Sequence, residues 1–315
     1  MNSLWPFRLR LFSFRDFLRL SLRVFPGSFP GSFLRSSLRS SLRSSLFSIF
    51  FLVPLCLCAL VSLSGCSTIP IIGRQQLSLI PSSQLAIMSR QSFDALLEES
   101  RLSQNSEKTA MVERVGERIA RATEEFLWDN GQGNKVRDLD WEFKLIEDPD
   151  NINAFAMPGG KIGVYSGILK VAVDDAGLAV VMAHEVGHVL ANHGGERMSR
   201  YLLVSLGGLS LDLALKKKES ETRQWWMIAY GLGATYGYIL PYSRLQENEA
   251  DRLGMILMAM AGYDPHAAID FWQRMSAQES GTRMPEFLST HPSNATRIAE
   301  MRARLPEALG YYQTE

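Results

Sequence analysis

Between Ser82 and Phe126 the apolar positions recur at helical spacing in two stretches, about Ser82 to Glu99 and about Glu107 to Phe126. Met111, Val112, Val115, Ile119 and Ala120 carry the second stripe. Asp129-Asn130-Gly131 and the polar residues after it mark a loop. The period then changes. Trp141 to Ile146 alternates apolar and polar as a half-buried strand does, and Lys161 to Tyr165 reads as a second strand after the turn Met157-Pro158-Gly159-Gly160. From Asp174 to the end the pattern is almost wholly helical. Helices, then a small sheet, then more helices predict an α+β fold. Two apolar stretches, Tyr201 to Leu215 and Trp225 to Leu240, are shorter than the about 20 residues a spanning helix needs. Asp212 interrupts the first and Gly and Tyr enrich the second, so both read as packed core helices, with partial insertion into a bilayer as the alternative.

The first 65 residues do not share these patterns. Phe25 to Phe33 reads FPGSFPGSF and Leu34 to Leu46 reads LRSSLRSSLRSSL, repeats that lack the varied apolar set of a core. Leu46 to Val61 follows without a charge, long enough for a signal-peptide apolar region and short for a span. Leu63-Ser64-Gly65-Cys66 then resembles the bacterial lipobox, in which the leader is removed before a lipid-bearing cysteine. Residues 1–65 are thus expected to be a leader, 66–81 a lipidated tether, and 82–315 a single folded domain. The remaining cysteines, Cys56 and Cys58, leave with the leader, so no disulfide is expected. Ser67 after the cysteine resembles lipoproteins sent to the outer membrane. The leader exceeds the usual 15 to 30 residues, which keeps a downstream start or an organelle transit peptide open.

Composition sharpens this division. The chain of 315 residues holds 33 basic and 33 acidic side chains, but the leader is rich in Arg with Asp16 as its one acid, so the body is mildly acidic. Nothing in that balance suggests a nucleic-acid partner.

Candidate chemistry centres on His184-Glu185-Val186-Gly187-His188, inside the run LAVVMAHEVGHVLA from Leu178 to Ala191. Such a helix is apolar all round and therefore buried, and burying three titratable groups is costly unless they are paired or bind a metal. At 100° per residue the three side chains lie within one narrow arc. Two imidazoles can then meet one ion while the carboxylate stands beside it as general base, the HExxH arrangement of zinc peptidases. A third ligand must come from elsewhere. His193 has the wrong spacing for the metzincin pattern and reads as a helix-end or surface residue. Glu247, Glu249 and Asp251 follow on a helix entered after Pro241. Glu247 and Asp251 share a face while Glu249 points about 200° away from Glu247, so of the first two one can bind zinc and the other can accept the N–H of a ligand histidine.

HEVGH together with SRLQENEADRLG (Ser243 to Gly254) resembles the zinc endopeptidase family that includes the CAAX prenyl protease, the HtpX heat-shock protease and the periplasmic protease BepA. A mitochondrial inner-membrane quality-control protease belongs to it too. The likeness continues through GRQQLSLI (Gly73 to Ile80), NAFAMPGGKIGVYSGIL (Asn153 to Leu169) and THPSNATRI (Thr290 to Ile298). It implies a mainly helical zincin-like fold with an HExxH helix. It also implies one zinc ion on His184, His188 and Glu247, Glu185 as base and Asp251 behind the ligands. Membrane-embedded members carry spanning helices near the motif; this chain has only short apolar segments and is closer to the periplasmic branch.

The resulting expectation is a zinc endopeptidase acting on misfolded or unassembled proteins, lipid-anchored at Cys66 in a bacterial envelope and facing the periplasm. An assembly factor that holds clients on a zinc-peptidase fold, or an organelle inner-membrane protease, are the alternatives. The strand around Ala154, Phe155, Gly160, Ile162 and Val164 is expected to pair with extended substrate if it forms a sheet edge. His291, before Pro292, is expected either to stabilise the oxyanion, or to occupy the open zinc position at rest, or simply to precede a helix.

Overall fold

The computed structural model describes residues 66–69, 72–278, 285–291 and 295–312; the expected leader lies outside them, as do Pro292 to Asn294. The described residues open with a small antiparallel hairpin, β1 (Cys66–Thr68) on β2 (Gln75–Leu77). Two helices follow, α1 (Ser82–Glu99) and α2 (Ser106–Asp129). Asn105 caps α2 by accepting from the Lys108 N–H, and its buried face is Val112, Val115, Ile119 and Phe126, much as the stripe predicts. The three-stranded sheet comprises β3 (Glu142–Ile146), β4 (Ala154–Met157) and β5 (Lys161–Tyr165) in the order β3-β5-β4. β5 is parallel to β3 and antiparallel to β4, the latter turn passing through Gly159 and Gly160 at φ +91° and +88°.

The rest is helical, as expected: α3 (Leu169–Ala172), α4 (Asp175–Leu190), α5 (His193–Ala214), α6 (Ser220–Ala234), α7 (Leu240–Met260), α8 (His266–Ala277), α9 (Glu286–Thr290) and α10 (Ala295–Leu309). One π-helical turn, Thr235–Ile239, joins α6 to α7. The fold is α+β and mainly helical, with the HExxH motif on α4. α4 is the central helix. Its start is fixed by the Asp174 side chain accepting from the Gly177 N–H at 2.8 Å, and almost every residue from Gly177 to Leu190 is buried. α7 crosses α4 at two glycines. A Cβ on Gly187 would lie 2.8 Å from the Ala250 carbonyl oxygen, and one on Gly254 would lie 3.0 Å from the His184 backbone. Only glycine permits this approach, and it sets Glu247 against the two histidines of α4.

Within the stretch expected to be a tether, Ile69 and Gln76 are buried, and Arg74 reaches carboxylates on α5 and α7. One expectation is corrected here. Tyr201 to Leu215 and Trp225 to Leu240 are not packed core helices. Their leucines, tryptophans and tyrosines are largely exposed, because α5 and α6 project as a hairpin that packs mainly on itself. No helix among the described residues is long and apolar enough to cross a membrane.

Candidate metal centre and active site

One turn of α4 presents His184 and His188 on the same side, with Nε2 atoms 3.2 Å apart. From α7, Glu247 brings Oε2 to 3.4 Å from His184 Nε2 and Oε1 to 3.4 Å from His188 Nε2. His291, at the end of α9, adds Nδ1 at 3.2 Å from His184 Nε2 and 2.8 Å from Glu247 Oε2. The four ligand atoms, all on buried residues, lie within 4.8 Å of one another. Atoms bound at 2.0 to 2.1 Å around a tetrahedral ion stand about 3.3 Å apart. Three imidazole nitrogens and a carboxylate oxygen on buried residues, all converging on one point, form a donor set that a cation between them would satisfy. The donor set therefore fits zinc.

Charge around the cluster says the same. Burial opposes a positive ring at His184, yet Asp251 and Glu247 overcome it and raise its pKa to about 9. The two carboxylates thus favour positive charge at that point, which a divalent cation supplies. Burial drives His188 well below its usual value, into the neutral form that can ligate. Glu247 is held well below the carboxylate range although burial opposes it, because His184 and His291 donate to it.

Behind each α4 histidine stands a relay ending in arginine. His184 Nδ1 is 2.9 Å from Asp251, which accepts from Arg297 at 2.5 and 2.7 Å. The Arg297 guanidinium lies 3.7 Å from the centre of the Trp272 ring. His188 Nδ1 is 2.8 Å from His193, whose Nε2 is 2.9 Å from Glu249, and Glu249 accepts from Arg74 at 2.5 and 2.9 Å. His193 does begin α5, as a helix-end residue would, but it is fully buried and not on the surface. Glu249 points away from the cluster, as its angle on the helix requires, and that direction leads to His193. Arg74 and Arg297 were not singled out by sequence, since a lone arginine on an amphipathic stretch carries no signal of its partner.

Glu185 faces a cleft of about 230 Å³. Its Oε1 is buried without a hydrogen bond, with His291 Nε2 at 3.3 Å. Asn153 to Ala156 form one wall of the cleft, and His188, His291 and Arg197 line it with Glu185. β4 has only β5 beside it in the sheet, so its other edge is free among the described residues. Gly160, Ile162 and Val164 do not share that edge. Ile162 and Val164 belong to the central strand, buried and paired on both sides, and Gly160 sits in the turn, which corrects the wider strand expected from sequence.

Comparison with known proteins agrees with this geometry. Residues 107–305 match the model of Peptidase family M48. The chain is 40% identical over 178 residues to the mitochondrial metalloendopeptidase OMA1 of Schizosaccharomyces pombe, covering 55% of this chain and 49% of that protein. It is 32% identical over 246 residues to the mitochondrial metalloendopeptidase OMA1 of Homo sapiens, covering 76% of this chain and 46% of that one. A putative beta-barrel assembly-enhancing protease of Vibrio cholerae is 35% identical over 166 residues, 51% of this chain and 34% of that protein. The chain spans about half or less of the length of these curated relatives. A helix bearing HExxH, a glutamate delivered from a second helix and a family match over most of the folded unit make this chain a member of Peptidase family M48.

Proposed function

We propose that His184, His188 and Glu247 hold one zinc ion, that Glu185 is the general base, and that the enzyme cuts unfolded or misassembled proteins at a membrane. The observation that carries this is the convergence of the ligand atoms beside Glu185 in an open cleft. Zinc in such a site acidifies a water and polarises the scissile carbonyl. Glu185, with a free buried oxygen, takes the water proton and delivers it to the leaving amine. Asp251 orients His184 through Nδ1. His291, within reach of both Glu247 and Glu185, would occupy the open metal position at rest and give way to substrate. The free edge of Ala154 to Met157 pairs with extended main chain, which selects unfolded segments over a fixed sequence.

Lipid at Cys66 anchors the mature protein, facing the periplasm in a bacterial envelope; the relative named for beta-barrel assembly supports this compartment. The mitochondrial relatives favour the second reading, an organelle quality-control protease. Purified protein decides the activity. Glu185→Gln should abolish casein cleavage while keeping one zinc per chain, whereas wild-type protein that binds zinc and cuts no unfolded substrate would identify an assembly factor. The mass of the mature N-terminus decides the anchor: an unmodified Cys66 behind an uncut leader would sink the lipoprotein reading.

A further inference from the structure

The hairpin of α5 and α6 has no use in the chemistry above, and its outer surface is unlike that of a helix pair in water. Leu206, Leu209 and Leu213 on α5, and Trp225, Trp226 and Leu232 on α6, are each more than half exposed. No charge occurs from Tyr201 to Leu211 or from Gln224 to Ser243. Three of the hairpin's polar contacts are made inside it. The Tyr230 hydroxyl donates to the Val204 carbonyl at 2.7 Å, Ser210 donates back to Leu206 at 2.8 Å, and Asp212 accepts twice from Arg223 at 2.6 Å. A helix in water has the reverse arrangement, with apolar groups inward and polar groups outward. The turn at the tip carries Lys216, Lys217 and Lys218, all exposed and without an ion pair among the described residues, and with the exposed Glu219 and Glu221 after them the tip stays net positive, three bases against two acids.

We infer that this hairpin docks on an anionic lipid bilayer, lying in the headgroup region with its leucines and tryptophans in the acyl boundary and the three lysines on lipid phosphates. Neither helix is long and apolar enough to span, so the interface is the depth left to them. Tryptophan is suited to that depth, and a lysine cluster beside an apolar face is the charge pattern that anionic headgroups attract. The consequence reaches the active site. α5 begins at His193 and α6 continues through one π turn into α7, which carries Glu247, so both roots of the hairpin lie at the zinc cluster. Docking would hold the cleft at the membrane surface whether or not Cys66 is acylated.

The test uses the full chain with Cys56, Cys58 and Cys66 changed to serine, which removes acylation and leaves one introduced cysteine for an environment-sensitive fluorophore. The label is placed at Leu209→Cys or, as an exposed control outside the hairpin, at Trp128→Cys. On vesicles containing phosphatidylglycerol, the label at position 209 should shift to the blue and be quenched at least twofold by nitroxide lipids, while that at position 128 should not. Changing Lys216, Lys217 and Lys218 to glutamine should weaken insertion of the label about fivefold per lysine, on the order of 100-fold in all. A label at 209 that stays water-like on vesicle-bound protein would overturn the inference. So would a blue shift that grows with protein concentration without vesicles, which would assign the face to a second copy. Circular dichroism of each labelled chain verifies its fold, so the result is independent of whether the protein is a protease.

Discussion

At the scale of single residues, the cluster depends on what holds its histidines. Ligand histidines usually donate their second ring N–H to a carboxylate, and loss of that partner costs about 10- to 100-fold in metal affinity. His184 follows this rule through Asp251, whereas His188 reaches its carboxylate, Glu249, through a second imidazole. His193→Gln should therefore weaken zinc binding about 10- to 100-fold in a chelator competition with the fold retained. His291→Ala should raise the rate of peptide cleavage if the ring covers the fourth position at rest; a loss of kcat with KM unchanged would instead assign it to the transition state. The sequence brought His184, Glu185, His188, Glu247 and Asp251 into view because each pairing is set by spacing within one helix. His193 was discounted because its spacing excludes it as a third ligand, a test that says nothing of a supporting role. Arg74 and Arg297 meet their carboxylates 175 and 46 residues away, distances over which no local pattern operates.

Elements show where periodicity is informative and where it is not. The strand at β5 and the helix α1 keep the bounds that alternation and helical spacing predict. Which strand would be an edge was not legible, because sheet order follows from packing against α1 and α4. That order bears on substrate. Asn153 and Met157 turn their carbonyls toward β5, accepting from Tyr165 and Gly160, so by alternation Ala154 and Ala156 direct their main-chain groups to the free edge. Ala156→Pro should thus remove one outward N–H without cutting the β5 ladder. Its expected effect is a severalfold rise in KM for casein with zinc content unchanged; an unaltered KM would place substrate elsewhere. The α5–α6 hairpin illustrates the opposite limit. An apolar stretch has the same composition whether protein or lipid covers it, and only the position of α5 and α6 outside the core separates the two.

For the whole molecule, the N-terminal hairpin is tied to α5 and α7 by one buried charge network. Glu196 accepts from Arg74 at 2.9 Å, Arg200 at 2.7 Å and Gln246 at 2.9 Å. Burial opposes its charge, but these partners lower its pKa to about 2. Because the folded value lies below the unfolded one, the stabilisation is complete above about pH 4.5 and is lost as pH falls toward 2. Acid unfolding should show this loss. Glu196→Gln should flatten that part of the profile and destabilise the protein at pH 7 by about 3 kcal/mol, since two arginines are left with one carboxylate fewer; a thermal melt unchanged from wild type would contradict it. The sequence alone determined the helix-sheet-helix order, the motif helix and the acidic segment downstream, since all three rest on interactions between residues a few positions apart. Tertiary structure decided that Arg74 reaches Glu196 and Glu249, that His193 and Glu249 stand behind His188, and that an apolar hairpin stays outside the core. Those outcomes depend on which distant surfaces meet, and the close crossing of α4 and α7 at Gly187 and Gly254 is the contact around which they are arranged.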